Sequence, residues 1–290
     1  MTEHPLAKTL SAIASHLERI APRKPSNPAL TDTNAYVWQP DDTELFPIKN
    51  VNCLPLSLLK GIDRQAKALL ENTRQHAKGY LANNVLLWGA RGTGKSSLIK
   101  SVHAAVNEEQ LSSENLVLVE IHREDIPTLP KLLNIMRVTK RQCLLFCDDL
   151  SFEGVDDSYK ALKAVLEGGL EGRPQNVLFY ATSNRRHLMA RNMIENERET
   201  NIHRGEATEE KVSLSDRFGL WLGFHHIDQD TFLEIVEAYA EHLNIDIPVT
   251  ELRAQATEWA VTRGARSGRV AWQFIQNHAG RLGKTSNSWT

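Results

Sequence analysis

Nowhere does this sequence approach the ~20 consecutive apolar residues that a bilayer span needs, which excludes a helical membrane protein. Cysteine is scarce: three in 290 residues, two of them, Cys143 and Cys147, inside an apolar run where reduced thiols behave as small hydrophobes. An odd count so placed excludes a disulfide framework, and two thiols four residues apart with no second ligand pair make a poor zinc site. A surplus of charge is missing too. The formal balance of −2 creates no global field for a phosphate backbone, so any nucleic-acid contact would be a local patch. The first ten residues lack the basic head, apolar core and cleavage site of a secretory signal, and the expected location is the cytoplasm. Six tryptophans are scattered along the chain, which suits packing better than a stacking platform for bases. What remains is ordinary globular material, long enough for one large core and a smaller one.

Residues 8–20 repeat apolar side chains at helical spacing and stop at a proline pair, predicting a helix followed by a linker. Prolines at 22, 25, 28, 40 and 47 predict an irregular stretch, with Tyr36, Val37, Trp38 and Phe46 available to anchor it to a neighbour. Helical spacing returns over residues 56–77, punctuated by Gly61. Between residues 84 and 226 short apolar strands alternate with amphipathic helices, the pattern of a parallel sheet covered on both faces. The expected strands are 85–88, 116–121, 143–147, 177–181 and 220–224, with helices over 96–107 and 158–167. Beyond Asp228 strands cease, and helices over 231–243, capped by Asp230, 251–261 and 267–282 predict a small helical subdomain. The charged stretch 195–211 reads as a surface loop. Three regions follow: 1–50 as helix and irregular linker, 51–228 as a three-layer α/β domain, and 229–290 as a helical subdomain.

Chemistry concentrates at three strand ends. After the first strand runs Gly89-Ala90-Arg91-Gly92-Thr93-Gly94-Lys95-Ser96, with Ser97 continuing into a helix. Glycines let backbone N–H groups converge on an anion, the helix N-terminus adds positive potential, Lys95 reaches β and γ phosphates, and the Ser96 hydroxyl suits Mg²⁺. The strand 143–147 delivers Asp148 and Asp149 at its C-terminal end, where open α/β sheets bind ligands. Asp148 would hold Mg²⁺ and Asp149 would polarise an attacking water, with Glu153 near enough in sequence to compete for that role. Asn184 follows the strand 177–181, where an amide could contact both the γ-phosphate and the water; Asn is also simply a good turn former. His225-His226 point to opposite faces of a strand, which makes a shared metal site improbable. Arg185-Arg186 could touch a nucleic-acid backbone, although two exposed arginines are usually a solvated turn.

In order and spacing these phrases resemble the AAA+ ATPases: Gly61-Ile62-Asp63-Arg64-Gln65, the run from Asn84 to Leu98, Asp148-Asp149-Leu150-Ser151-Phe152-Glu153, Ala181 to Leu188, and Leu214-Ser215-Asp216-Arg217-Phe218-Gly219-Leu220. More narrowly the chain resembles a bacterial family of predicted ATPases classed as a domain of unknown function (DUF815), from about residue 54 to the end. The resemblance implies a P-loop NTPase sheet with a helical lid, ATP and Mg²⁺ as ligands, Walker A over Gly89 to Ser96, Walker B at Asp148 and Asp149, and sensor 1 at Asn184. It puts Arg217 at an arginine finger acting on a neighbouring subunit, hence a homo-oligomer, Arg269 or Arg266 at sensor 2, and Ile62 beside adenine. A guanidinium suits both arginine roles, since it stays charged and spreads over phosphate oxygens; for Arg217 the plain alternative is a structural ion pair with an acid. Asp149 stands where most of the superfamily carry Glu, which puts the hydrolysis rate in question. The aromatic-Gly pore loop of threading unfoldases is replaced by His122-Arg123-Glu124-Asp125-Ile126-Pro127. Two functions follow: an ATPase acting on an unknown protein client, or a nucleotide-gated loader, conceivably DNA-acting, with slow or no hydrolysis.

Overall fold

Period-two alternation inside the apolar runs sorts their side chains onto two faces, and two layers of core result. The computed structural model describes Leu30, residues 33–152, 157–168, 172–186, Leu188 and 214–284. Its strands are β1 (Ala35–Gln39), β2 (Glu44–Pro47), β3 (Val85–Gly89), β4 (Val117–Glu120), β5 (Cys143–Cys147), β6 (Val177–Ser183) and β7 (Leu220–Phe224). They form one seven-stranded sheet in the order β2-β1-β4-β5-β6-β3-β7. All pairings are parallel except β1 with β2. Every residue of β5 and β6 is buried, as two covered faces require.

Cys143, Leu145 and Cys147 of β5 join the core on one face, where α3 (Leu129–Arg137) and α4 (Asp157–Glu167) contribute Leu132, Met136 and Leu162. Leu144 and Phe146 join the other, beneath α1 (Asp63–Ala77) and α2 (Lys95–Glu108) with Leu69, Leu98 and Val102. After β7 come α5 (Gln229–His242), α6 (Val249–Arg263) and α7 (Gly268–Arg281), which share a third core around Phe232, Val236, Ala256 and Phe274. The three-layer α/β P-loop sheet with a C-terminal helical part is therefore present. No described helix is long and apolar enough to cross a membrane.

Two sequence expectations change. Residues 35–47 are not irregular: they form the β1–β2 hairpin, and β1 extends the sheet by pairing with β4, Ala35 beside Leu118. Trp38, 1% exposed, anchors it and donates Nε1–H to Thr128 Oγ1 at 2.8 Å. The flanking prolines lie at the turn and the strand end, where a missing N–H removes nothing from the interior of the ladder. The cap of α5 is Asp228, whose carboxylate accepts from the Thr231 amide at 2.8 Å, and Asp230 sits in the first turn instead. The helix starts at Gln229, two residues before the expected 231, because the apolar stripe begins only at Phe232. The helix expected over residues 8–20 and the charged stretch 195–211 lie outside the described residues.

Candidate functional site

The sheet register assembles the site. Trp88 of β3 pairs with Ser183 of β6, so the glycine loop and Asn184 leave adjacent strands side by side. Cys147 of β5 pairs with Ala181 of β6, which carries Asp148 out beside Thr182. All of this happens at the C-terminal edge of the parallel strands. Gly94 ends the loop as the N-cap of α2 with φ of 90°, a left-handed conformation that side chains with a Cβ avoid.

Side-chain bonds tie the three strand ends together. Lys95 is buried, and its ammonium donates to the carbonyls of Gly89 at 3.0 Å and Ala90 at 2.7 Å and to Asn184 Oδ1 at 3.3 Å. Burial lowers the Lys95 pKa, while Asp148 and Asp149 pull it the other way. Asn184 turns its Nδ2 to Asp149 Oδ1, so one amide links the ammonium to that carboxylate. Ser96 Oγ donates to Asp148 Oδ1 at 2.5 Å. Thr182 is the hub between the acids: its hydroxyl donates to Asp148 and accepts the Asp149 backbone N–H at 2.9 Å. Asp149 itself has φ of 50°, a left-handed turn immediately after the buried strand. That turn re-aims the second carboxylate away from the strand direction and into reach of Asn184.

These groups line a cavity of about 1030 Å³ between the sheet edge and the helical part. Of the residues picked from sequence, Ile62, Arg91, Gly92, Thr93, Gly94, Lys95, Ser96, Ser97, Asp148, Asp149, Asn184 and Arg269 line it. Gly89 and Ala90 contribute the carbonyls under Lys95. Arg266 borders a separate cavity of about 670 Å³ behind the loop, so of the two sensor candidates Arg269 reaches the main one. Arg217 is not on its wall; it is ion-paired with Glu167 of α4 within the same chain. Glu153 lies outside the described residues.

Sequence reasoning missed two parts of the wall. Thr182 was readable in principle, since placing Ala181 beside Cys147 forces the next pair to be Asp148 and Thr182. The apolar part of the lining, which includes Leu58, Leu59, Ile227, Ile235, Tyr239 and Trp272, draws on three distant segments that only the tertiary fold unites. The cavity wall thus combines charged and hydrogen-bonding groups with apolar ones, the mixture that a phosphate ester of a flat heterocycle requires. Among the described residues no group of three or more His, Cys, Asp or Glu side chains is arranged to hold a metal alone. A cation beside Ser96 and Asp148 would complete its shell with phosphate oxygens and water, which is how Mg²⁺ usually binds.

No curated protein matches the sequence. Solved structures of similar shape include the Holliday junction branch migration motor RuvB of Thermotoga maritima, at 14% identity over 76% of this chain and 72% of that one, with a TM-score of 0.43. Two point variants of that RuvB compare alike: 13% identity, 75% and 68% coverage, TM-score 0.44 for one, and 13%, 78% and 70%, 0.43 for the other. Likeness at this level says nothing about what the present chain binds. The model for proteins of unknown function, DUF815, matches residues 31–282, nearly the whole sequence, and the chain belongs to that family.

Proposed function

We propose that this chain binds Mg-ATP in the cavity and hydrolyses it, coupling the cycle to assembly with copies of itself and to remodelling of a protein client. One observation carries the reading: the hydroxyl that closes the glycine loop and a carboxylate from a separate strand meet at 2.5 Å beside a buried ammonium. A turn that merely ended a strand gives no reason for that convergence. In this reading residues 51–228 hold the nucleotide and 229–290 form its lid.

The loop amides and Lys95 would grip the phosphates, and Ser96 with Asp148 would hold Mg²⁺, which would supply neutralisation of phosphate charge. Asp149, whose carboxylate is bonded to Asn184, would accept a proton from an attacking water. Arg269 would reach the phosphates from the lid, Ile62 would pack on the base, and Arg217 would act on the site of a neighbouring subunit. An Arg217 that stands off its own cavity supports the trans role.

Nucleotide affinity and steady-state phosphate release of the full chain, wild type and Lys95→Ala, test the proposal. We expect Lys95→Ala to abolish binding; wild type without affinity for any nucleoside triphosphate refutes it. A second reading, a nucleotide-gated loader with little turnover, is favoured by the short Asp149 side chain, whose Oδ1 is already engaged by Asn184. Under it ATP binds, phosphate release stays near background, and Asp149→Asn changes nothing. Salt-sensitive DNA binding in the ATP state would make the client nucleic acid. Mass measurement with and without a slowly hydrolysed ATP analogue tests assembly.

A further inference from the structure

The helical part touches the phosphate loop through backbone. Gly268, the first residue of α7, donates its N–H to the Gly92 carbonyl at 2.8 Å. This amide is one of the early helical donors that have no partner inside a helix. Ser267 caps the same turn, its Oγ accepting from the Val270 amide at 3.2 Å. Gly92 has φ of 72°, and a Cβ built on it would lie 2.9 Å from both Cβ and Oγ of Ser267. The middle glycine of the loop is therefore demanded by α7 as well as by any phosphate. Arg269 comes next in the helix, its Cβ 3.6 Å from the same point, and its side chain enters the main cavity.

We infer that Ser267 and Gly268 are positioning residues that fasten the phosphate loop to the lid and couple the orientation of the loop amides to the entry of Arg269. A peptide unit is planar and trans, so turning the Gly92 carbonyl toward α7 turns the Thr93 N–H away from it. Loop orientation and lid position then become one variable. Nucleotide bound to the loop shifts the lid, and a displaced lid loosens the loop. The inference rests on the ATP-binding reading, but its first readout does not need nucleotide.

The test is a graded series at one position. Gly268→Pro removes the donor and puts a ring carbon where the amide hydrogen approached Gly92 O. Proline is welcome at the first helical position, and Ser267 before it is already extended at φ −156°, ψ 160°, as a residue preceding proline should be. Gly268→Val keeps the N–H but presses a branched side chain on Gly92 O, since a Cβ there lies 3.2 Å from that oxygen. Gly268→Ala keeps the N–H with the least bulk. Hydrogen exchange of the phosphate-loop peptide, in nucleotide-free full-length protein, is expected to accelerate in the order Ala, Val, Pro. ATP dissociation should accelerate in the same order, reaching about tenfold for Pro, the loss of one hydrogen bond. Arg269→Ala should weaken ATP binding in wild type but add little in the Pro variant, because Arg269 is no longer delivered. Unchanged loop exchange in both Val and Pro variants, or strict additivity with Arg269→Ala, overturns the inference. Wild type that binds no ATP sinks the functional reading instead, and the exchange series still decides the coupling.

Discussion

Thr182→Val removes one hydroxyl while keeping side-chain shape, and its consequences can be worked out bond by bond. Thr182 is 2% exposed but lines the cavity, so cavity water takes over part of what its hydroxyl bonded. The Asp149 N–H loses its acceptor at 2.9 Å, on a residue that is itself exposed. A donor that exchanges a protein acceptor for cavity water loses about the net worth of one hydrogen bond, ~1 kcal/mol. Asp148 loses one donor too, but it is exposed and keeps Ser96, so solvent replaces most of that bond. Asp149 also sits at φ 50°, a conformation disfavoured by roughly 1–2 kcal/mol for a residue with a Cβ. The Thr182 bond helps to hold that strain, and without it part relaxes, which offsets some of the loss. We expect a net destabilisation of about 1 kcal/mol. In urea, where a chain of this length has a slope of about 3 kcal/mol/M or more, this lowers the unfolding midpoint by roughly 0.3 M or less at an unchanged slope. Relaxation of Asp149 should also shift the Mg²⁺ dependence of nucleotide binding to higher concentration. Thr182→Ser retains the hydroxyl and should show only the small effect of a lost methyl. A Thr182→Val protein with wild-type midpoint and wild-type Mg²⁺ dependence would refute the assignment of Thr182 as the hub between the acids.

Other consequences are open to direct measurement. His76 and His103 are buried with Nε2 against the Cys143 and Leu116 carbonyls, and burial pushes both pKa values down to about 4. Unfolded histidine titrates near about 6.5, so between these values the unfolded chain binds more protons and stability falls as pH falls. The contribution is intact above pH 6.5 and lost progressively toward about 4; at pH 5 linkage gives a loss of about 2 kcal/mol for each histidine. Urea unfolding at pH 7.5 and pH 5 checks this, and equal stabilities would mean that neither imidazole is held neutral. Arg217→Ala breaks a partly exposed pair with Glu167, which is worth ~0–1 kcal/mol to the fold. If Arg217 also serves a neighbouring subunit, the same variant loses roughly a thousandfold in turnover with ATP affinity intact. Unchanged phosphate release leaves only the ion pair.

How much of this was legible depended on the range of the interactions involved. Short continuous apolar runs such as Cys143–Cys147 point to a doubly covered strand, because both faces must be apolar whatever lies above them. The glycine loop is nearly as self-contained: Gly94 is needed by its own backbone angle, and two of the three acceptors of Lys95 are carbonyls five and six residues back, Asn184 being the distant one. The β1–β2 hairpin was not readable, because only β4, some 80 residues on, makes that proline-bordered stretch worth ordering. Gly92 is the instructive case between the two. Within the loop it reads as one more flexible turn residue, yet the atoms that forbid a side chain there belong to Ser267, 175 positions later. A local motif thus carries a long-range constraint at one of its positions. That is why a match to a phosphate-loop pattern identifies the anion cradle but is silent about the helix that closes on it.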